Sequence, residues 1–261
     1  MRAKKSLGQH FLKSERALAT IVEVGNLSVT DTVLEIGPGT GTLTEKLLAI
    51  DCQVLAIEKD DNLYDTLKIK FQKEIVSGQL KLIHDDILKF DFKKLTAKSY
   101  KLIANIPYNI TGAILKKFLS AEHQPKQMVL LMQKEVAKRI VAQDDKESIL
   151  SISVKAYGIP RYVETVKAGS FAPMPKVDSA IVVIENISKN YFKNLTEKDF
   201  FEIVRAGFKS KRKKLSSNLS TIFHKDKVQE VFQKLKLDRN LRAEDADIKI
   251  WHKLTLNLFP L

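Results

Sequence analysis

The feature that most restricts the fold is the alternation of short β-rich runs with helical stretches over the first two-thirds of the chain. Strand patterns occur at 32–36, 53–57, 80–84, 100–104, 127–132, 161–167 and 179–185. Helical patterns fill most gaps, at about 15–25, 41–50, 60–73, 111–121, 134–142 and 147–157. Such alternation predicts a mostly parallel sheet with helices on both faces. The last two strands are separated only by residues 168–177, with no helical pattern, so they are expected to form an antiparallel edge pair. From about residue 190 the strand patterns stop, and 197–209, 211–223, 225–236 and 243–258 read as helices. The expectation is an α/β, Rossmann-like seven-stranded domain over 1–187 and a small all-helical domain over 188–261.

Composition narrows the functional classes. With 44% hydrophobic residues over 261 positions the chain reads as globular. No apolar run approaches the ~20 residues of a membrane helix, and the charged N-terminus is not followed by a signal-peptide core. The one cysteine, Cys52, leaves no internal disulfide and no cysteine-based zinc site. A cytoplasmic location, no membrane partner and no metal are expected. The net charge of +13 is segregated: +4 over residues 1–20, +8 over 186–261 and only +1 over the 165 residues between. A nearly neutral body with basic ends suits a catalytic domain that meets a polyanion. Lys209, Lys211, Arg212, Lys213 and Lys214 crowd into a predicted helix start, where RNA phosphate is the expected partner.

Polar groups collect at the carboxyl ends of consecutive strands, where open α/β sheets bind ligands. The first strand runs into Gly37-Pro-Gly39-Thr-Gly41, a turn that lets a ligand approach the backbone, with a helix N-terminus suited to an anionic group. The next ends at Glu58, placed to accept ribose hydroxyls. The third ends in His84-Asp-Asp86, where a carboxylate can accept from an adenine amino group. The fourth ends in Asn105-Ile106-Pro107-Tyr108-Asn-Ile110. An amide, a proline and an aromatic are poor packing choices there but suit holding a flat base: the Asn105 oxygen and a carbonyl beside Pro107 accept from an exocyclic amine, Pro107 stiffens the turn, and Tyr108 offers a stacking face.

These motifs resemble the small-subunit rRNA adenine dimethyltransferases of the KsgA type. The resemblance covers nearly the whole chain and includes Ser6–Leu12, Leu34–Gly41, Ile57–Asp60, Asn105–Asn109, Met132–Val136, Phe171–Ser179 and Arg242–Glu244, in the family's order. It implies a class I methyltransferase fold, S-adenosyl-L-methionine as methyl donor, and small-subunit rRNA within an immature 30S particle as partner. It places His10, Leu12, Gly37, Gly39, Glu58, Asp86 and Asn105 around the donor, with the N-terminal segment folded over it. It makes Asn105, Ile106, Pro107, Tyr108 and Phe171 the catalytic set, with the target adenine between Tyr108 and Phe171. Without the resemblance, Gln9–Leu12 reads as a helix lead-in and Phe171 as an aromatic packed beneath the Pro173/Pro175 loop. No seam such as a heptad repeat points beyond a monomer. The related 23S rRNA resistance methyltransferases share the cofactor and Asn-Ile-Pro-Tyr blocks, and a non-catalytic assembly factor on the same fold is a further alternative. A nicotinamide oxidoreductase explains neither Asn105–Tyr108 nor the basic tail.

Overall fold

The computed structural model describes residues 8–92, 95 and 97–259. Ser6 and Leu7 of the first sequence block, and the N-terminal cations Arg2, Lys4 and Lys5, lie outside them. In chain order the elements begin with β1 (Phe11–Leu12), α1 (Glu15–Gly25), β2 (Thr32–Ile36), α2 (Thr42–Leu48) and β3 (Gln53–Glu58). They continue with α3 (Asp61–Lys70), α4 (Gln72–Val76), β4 (Leu80–His84), β5 (Lys101–Asn105) and α5 (Thr111–Leu119). Next come β6 (Gln127–Gln133), α6 (Lys134–Val141), α7 (Ile149–Lys155), β7 (Ile159–Val166), β8 (Phe171–Ala172) and β9 (Ser179–Glu185). Four helices follow: α8 (Glu197–Gly207), α9 (Leu215–Leu219), α10 (Lys225–Lys234) and α11 (Ile248–Leu258).

Seven strands form one sheet in the order β4-β3-β2-β5-β6-β9-β7. The β4-β3, β3-β2, β2-β5 and β5-β6 pairs are parallel, and β9 runs antiparallel to both of its neighbours. The expected antiparallel pair is therefore present, with β9 inside the sheet and β7 at its edge. The central strands carry apolar residues at nearly every position because both faces are covered. On one face Val33, Ala56, Ile103 and Leu131 cluster with Leu18 and Ile21 of α1 and Leu43 and Leu47 of α2. The chain steps outward from β2 to β4 and then returns to β5 on the other side of β2. This reversal leaves a crevice at the carboxyl ends of β2 and β5.

The chain divides into two compact units, Met1–Ala137 with Ile159–Ile187, and Lys138–Gly158 with Ser188–Leu261. Residues 138–158, which the alternation assigns to the sheet domain, thus go with the C-terminal helices. Their polar groups show why. Tyr157 Oη donates to Glu197 Oε2 at 2.9 Å, the Glu147 amide donates to the Glu244 carbonyl at 2.7 Å, and the Ser188 amide donates to the Tyr157 carbonyl at 2.8 Å. Trp251, fully buried, centres the second unit and donates from Nε1 to the Ala246 carbonyl at 3.0 Å. It lies so close to Gly207 that an added Cβ there would sit 2.3 Å from its ring. No helix among the described residues is long and apolar enough to cross a membrane.

Candidate active site

The glycine turn after β2 is shaped by backbone conformations that other residues adopt at a cost. Gly37, Gly39 and Gly41 have φ of 61°, 62° and 81°. Their surroundings differ. A Cβ on Gly41 would strike the Phe71 ring at 2.5 Å, whereas one on Gly37 would meet nothing within 4 Å. Gly41 therefore makes room for the protein's own core, and Gly37 borders open space. The Gly37 amide donates to the Ile57 carbonyl at 2.9 Å, tying the turn to the end of β3.

Glu58, 5% exposed, closes that end. Its Oε2 accepts from the Gly39 amide at 3.1 Å, and its Oε1 accepts from the Lys59 and Asp60 amides, both at 2.9 Å. Burial raises its pKa, and the three amides act in the opposite direction. Three of roughly four acceptor positions are thus spent on the backbone, so the carboxylate is held in place before a ligand arrives. Asp86, beyond β4, accepts from Lys59 Nζ and the Leu88 amide, both at 2.9 Å. Burial pushes its pKa up, but these contacts outweigh it, and the carboxyl lies below its usual range. Glu58, Asp86, Gly37, Gly39 and Asn105 line one pocket together with His10 and Leu12.

Two further acids were not singled out from the sequence, Glu35 in the pocket wall and Asp60 beside it. Glu35 is 1% exposed in the middle of β2 and accepts from Thr44 Oγ1 at 2.7 Å. Burial first, and Glu58 in addition, push its pKa up to about 8 against the pull of Thr44, so it is a neutral acid at neutral pH. Its signal was a lone charge inside an apolar strand. Asp60, at the end of the Ile57–Asp60 block, caps α3 by accepting from the Asn62 and Leu63 amides and also accepts from Gln9 Nε2 at 3.2 Å.

The N-terminal segment crosses the site as a short strand, not as a helix lead-in. Phe11 and Leu12 pair antiparallel with Ala172 and Phe171. Thr42 Oγ1 donates to the Leu12 carbonyl at 3.2 Å. Asn105 Nδ2 donates to the His10 carbonyl at 3.0 Å. That bond orients the amide: with its NH2 on His10, Asn105 Oδ1 is the end turned to accept. Ile106 is buried and donates its amide to the Leu131 carbonyl at 3.2 Å, and Pro107, with φ −58°, opens a short 3-10 turn that carries Tyr108. Tyr108 Oη shares a 2.7 Å hydrogen bond with Ser179 Oγ, which fixes the ring at the pocket wall.

Phe171 departs from the expected clamp. It is 2% exposed, belongs to the hydrophobic cluster with Leu12, Val166 and Ile181, and is not part of the pocket wall. The ring that faces Tyr108 is the His10 imidazole, with centroids 5.6 Å apart and planes 21° from parallel. His10 Nδ1 donates to the Pro173 carbonyl at 2.7 Å. The physical reason is the β1–β8 pairing: it turns Phe171 inward against Leu12 and leaves His10 over the pocket. The residue-level reading of Phe171 as a packed aromatic describes this arrangement.

In the second unit, Lys209 and Lys211–Lys214 are all exposed, in the turn between α8 and α9. The helix expected from 211 starts only at Leu215, because Lys214 takes an extended conformation at its N-cap and the preceding cations project into solvent. Buried Asn218 braces the turn, donating from Nδ2 to the Gly207 and Ser210 carbonyls at 2.6 and 3.0 Å. Among the described residues no group of three or more His, Cys, Asp or Glu is placed to hold a metal ion.

Known proteins share both the sequence and the fold. A family model described as ribosomal RNA adenine dimethylase matches residues 1–258. The ribosomal RNA small subunit methyltransferase A of Dehalococcoides mccartyi is 42% identical over 260 residues, covering 98% of this chain and 88% of its own length. That of Fusobacterium nucleatum is 36% identical over 249 residues, covering 94% and 93%. The crystal structure of a dimethyladenosine transferase from Plasmodium falciparum superposes with a TM-score of 0.81 at 29% identity, over 95% of this chain and 98% of that one. The 23S rRNA methyltransferase ErmE, at 23% identity and a TM-score of 0.78, shares the fold. With a match that spans both units and the strand-end motifs alike, the chain belongs to the ribosomal RNA adenine dimethylase family.

Proposed function

We propose that this protein transfers methyl groups from S-adenosyl-L-methionine to the N6 amines of two adjacent adenines near the 3′ end of small-subunit rRNA, in an immature 30S particle in the cytoplasm. The observation that carries this reading is the oriented Asn105 amide. Its nitrogen is committed to the His10 carbonyl, its oxygen is turned to accept, and it stands beside Tyr108 in a pocket with two fixed carboxylates.

The pocket fits the methyl donor. Glu58 and Asp86 are hydrogen-bond acceptors suited to ribose hydroxyls and an adenine amine, the open space at Gly37 admits a ligand against the backbone, and Leu12 and Ile57 are apolar wall. When bound, S-adenosyl-L-methionine supplies a sulfonium methyl as electrophile. The protein's part is positioning. Tyr108 takes the target base on its face, worth roughly 1–3 kcal/mol of stacking. Asn105 Oδ1 and the Ile106 carbonyl accept the two amine hydrogens, which draws the nitrogen out of conjugation and aims its lone pair. The product cation loses its proton readily to solvent, so the reaction needs no strong base, and holding the two reactants in line supplies most of the acceleration. The His10 imidazole stacks on the Tyr108 ring, so an adenine that uses that face takes the place of the imidazole. The exposed Lys209–Lys214 turn serves rRNA phosphate.

The test is methyl transfer from labelled S-adenosyl-L-methionine to small-subunit particles that lack adenine dimethylation, with large-subunit RNA as comparison. Label recovered as dimethyladenosine in small-subunit rRNA is expected. Label confined to large-subunit RNA, or absent from both, refutes the reading.

A further inference from the structure

Two of the sequence blocks, Met132–Val136 and Phe171–Ser179, lend the methyl-transfer site only the contacts that brace His10 and Tyr108, yet the fold brings them together. Gln133 pairs with Ser179 in the β6–β9 register, and the Lys134 amide donates to the Asp178 carbonyl at 3.0 Å. Asp178 then pins the loop that precedes β9. Its Oδ1 accepts from the Ala168 amide and its Oδ2 from Lys167 Nζ, both at 3.0 Å. The Lys13 amide donates to the Ser170 carbonyl at 2.8 Å on the other side of the same loop. Lys13, Lys167 and Lys176 are exposed and Lys134 is half-buried, and Lys134 lies close enough to help hold the Asp178 carboxyl below its usual range.

The loop is also unusually apolar where it meets solvent. Met174 is 69% exposed and Val177 is 43% exposed. It abuts the stacking site directly: the Pro173 carbonyl holds His10, and Ser179, next to Asp178, holds the Tyr108 hydroxyl. Lys134 and Lys167 beside Asp178, exposed Lys13 and Lys176 on the adjoining chain, and the exposed Met174 and Val177 together match an unpaired RNA strand, whose phosphates seek cations and whose splayed bases seek flat or polarisable apolar surface.

We propose that the Lys167–Asp178 loop, with Lys13 and Lys134, is a second RNA-binding surface on the sheet unit that holds the single-stranded nucleotides flanking the target adenine. This rests on the methyl-transfer reading for its target but makes a claim of its own. The basic turn of the helical unit supplies general affinity, and this loop delivers the strand to Tyr108.

The experiment compares wild type with a Lys134→Gln/Lys167→Gln/Lys176→Gln variant and with Met174→Ala. The probe is a fluorescent RNA hairpin carrying adjacent adenines in an unpaired loop, with binding measured across a salt series alongside methyl transfer. Three lost single-strand phosphate contacts should shrink the slope of log K against log salt by about 2. KM for the RNA should rise at least tenfold, while the melting temperature and S-adenosyl-L-methionine binding are kept. Met174→Ala should raise KM a few-fold without changing the slope, since it removes a base contact and no charge. An unchanged slope in the triple variant overturns the proposal whether or not the protein methylates. Failure of the methyl-transfer reading shows up separately, as no label transferred by wild type, and the salt series still decides the loop.

Discussion

Replacing Glu35 with glutamine tests whether the cofactor pocket is built around a neutral acid. In the folded protein burial pushes this carboxyl up to about 8, from an ordinary 4.5. Between those values the unfolded chain has released the proton that the folded protein still holds. The unfolded state therefore binds fewer protons, and stability falls as pH rises through that window. By pH 7 the loss amounts to about 3 kcal/mol. Glutamine still offers an oxygen to Thr44 Oγ1, which lies 2.7 Å from the Glu35 carboxyl oxygen, but it does not titrate. The stability of Glu35→Gln relative to wild type should therefore climb by about 3 kcal/mol from pH 5 to pH 7.5 and level off near pH 8. Urea denaturation of both proteins at pH 5, 6, 7 and 8, without cofactor, reads this directly. A difference that stays constant over that range would mean Glu35 ionises at its ordinary pKa, and the argument from burial would fail.

Five further substitutions have outcomes that follow from the geometry. Gly41→Ala forces a Cβ to 2.5 Å from Phe71 at a φ of 81°, and should lower stability by about 2–4 kcal/mol in a thermal melt. Gly37→Ala meets no packed atom, so its stability loss should stay near the roughly 1–2 kcal/mol of the left-handed backbone, while S-adenosyl-L-methionine affinity measured by calorimetry drops more than for Gly41→Ala. Asn105→Ala should slow single-turnover methylation on the order of 100-fold, and near wild-type turnover would refute the amine contacts. Tyr108→Phe keeps the ring and loses only the Ser179 bond, so it should cost about 1 kcal/mol of stability and little rate, whereas Tyr108→Ala should cost about 5–150-fold in kcat/KM for RNA.

Much of the scaffold is written locally. Each of the seven sheet strands lies within two residues of its pattern; for the five inner strands this is because a strand buried on both faces must be apolar along its length and the turns that bound it must not be. The strand-end groups could be read for the same reason: Glu58, Asp86 and Asn105 are polar residues that end or follow apolar runs, and a parallel sheet brings all such ends to one edge. What the sequence leaves open are contacts between distant positions that carry no periodic mark. His10 lies over Tyr108, and β1 pairs with β8, across 98 and about 160 residues, and only the folded chain shows that this pairing buries Phe171 and presents His10 in its place. The helical pattern at 147–157 looks like one more crossover on the sheet until its polar partners, Glu197 and Glu244, place it among the C-terminal helices. Glu35 reads as an ordinary acid by itself, and its neutral state at pH 7 is a property of the low-dielectric interior that the tertiary fold builds around it.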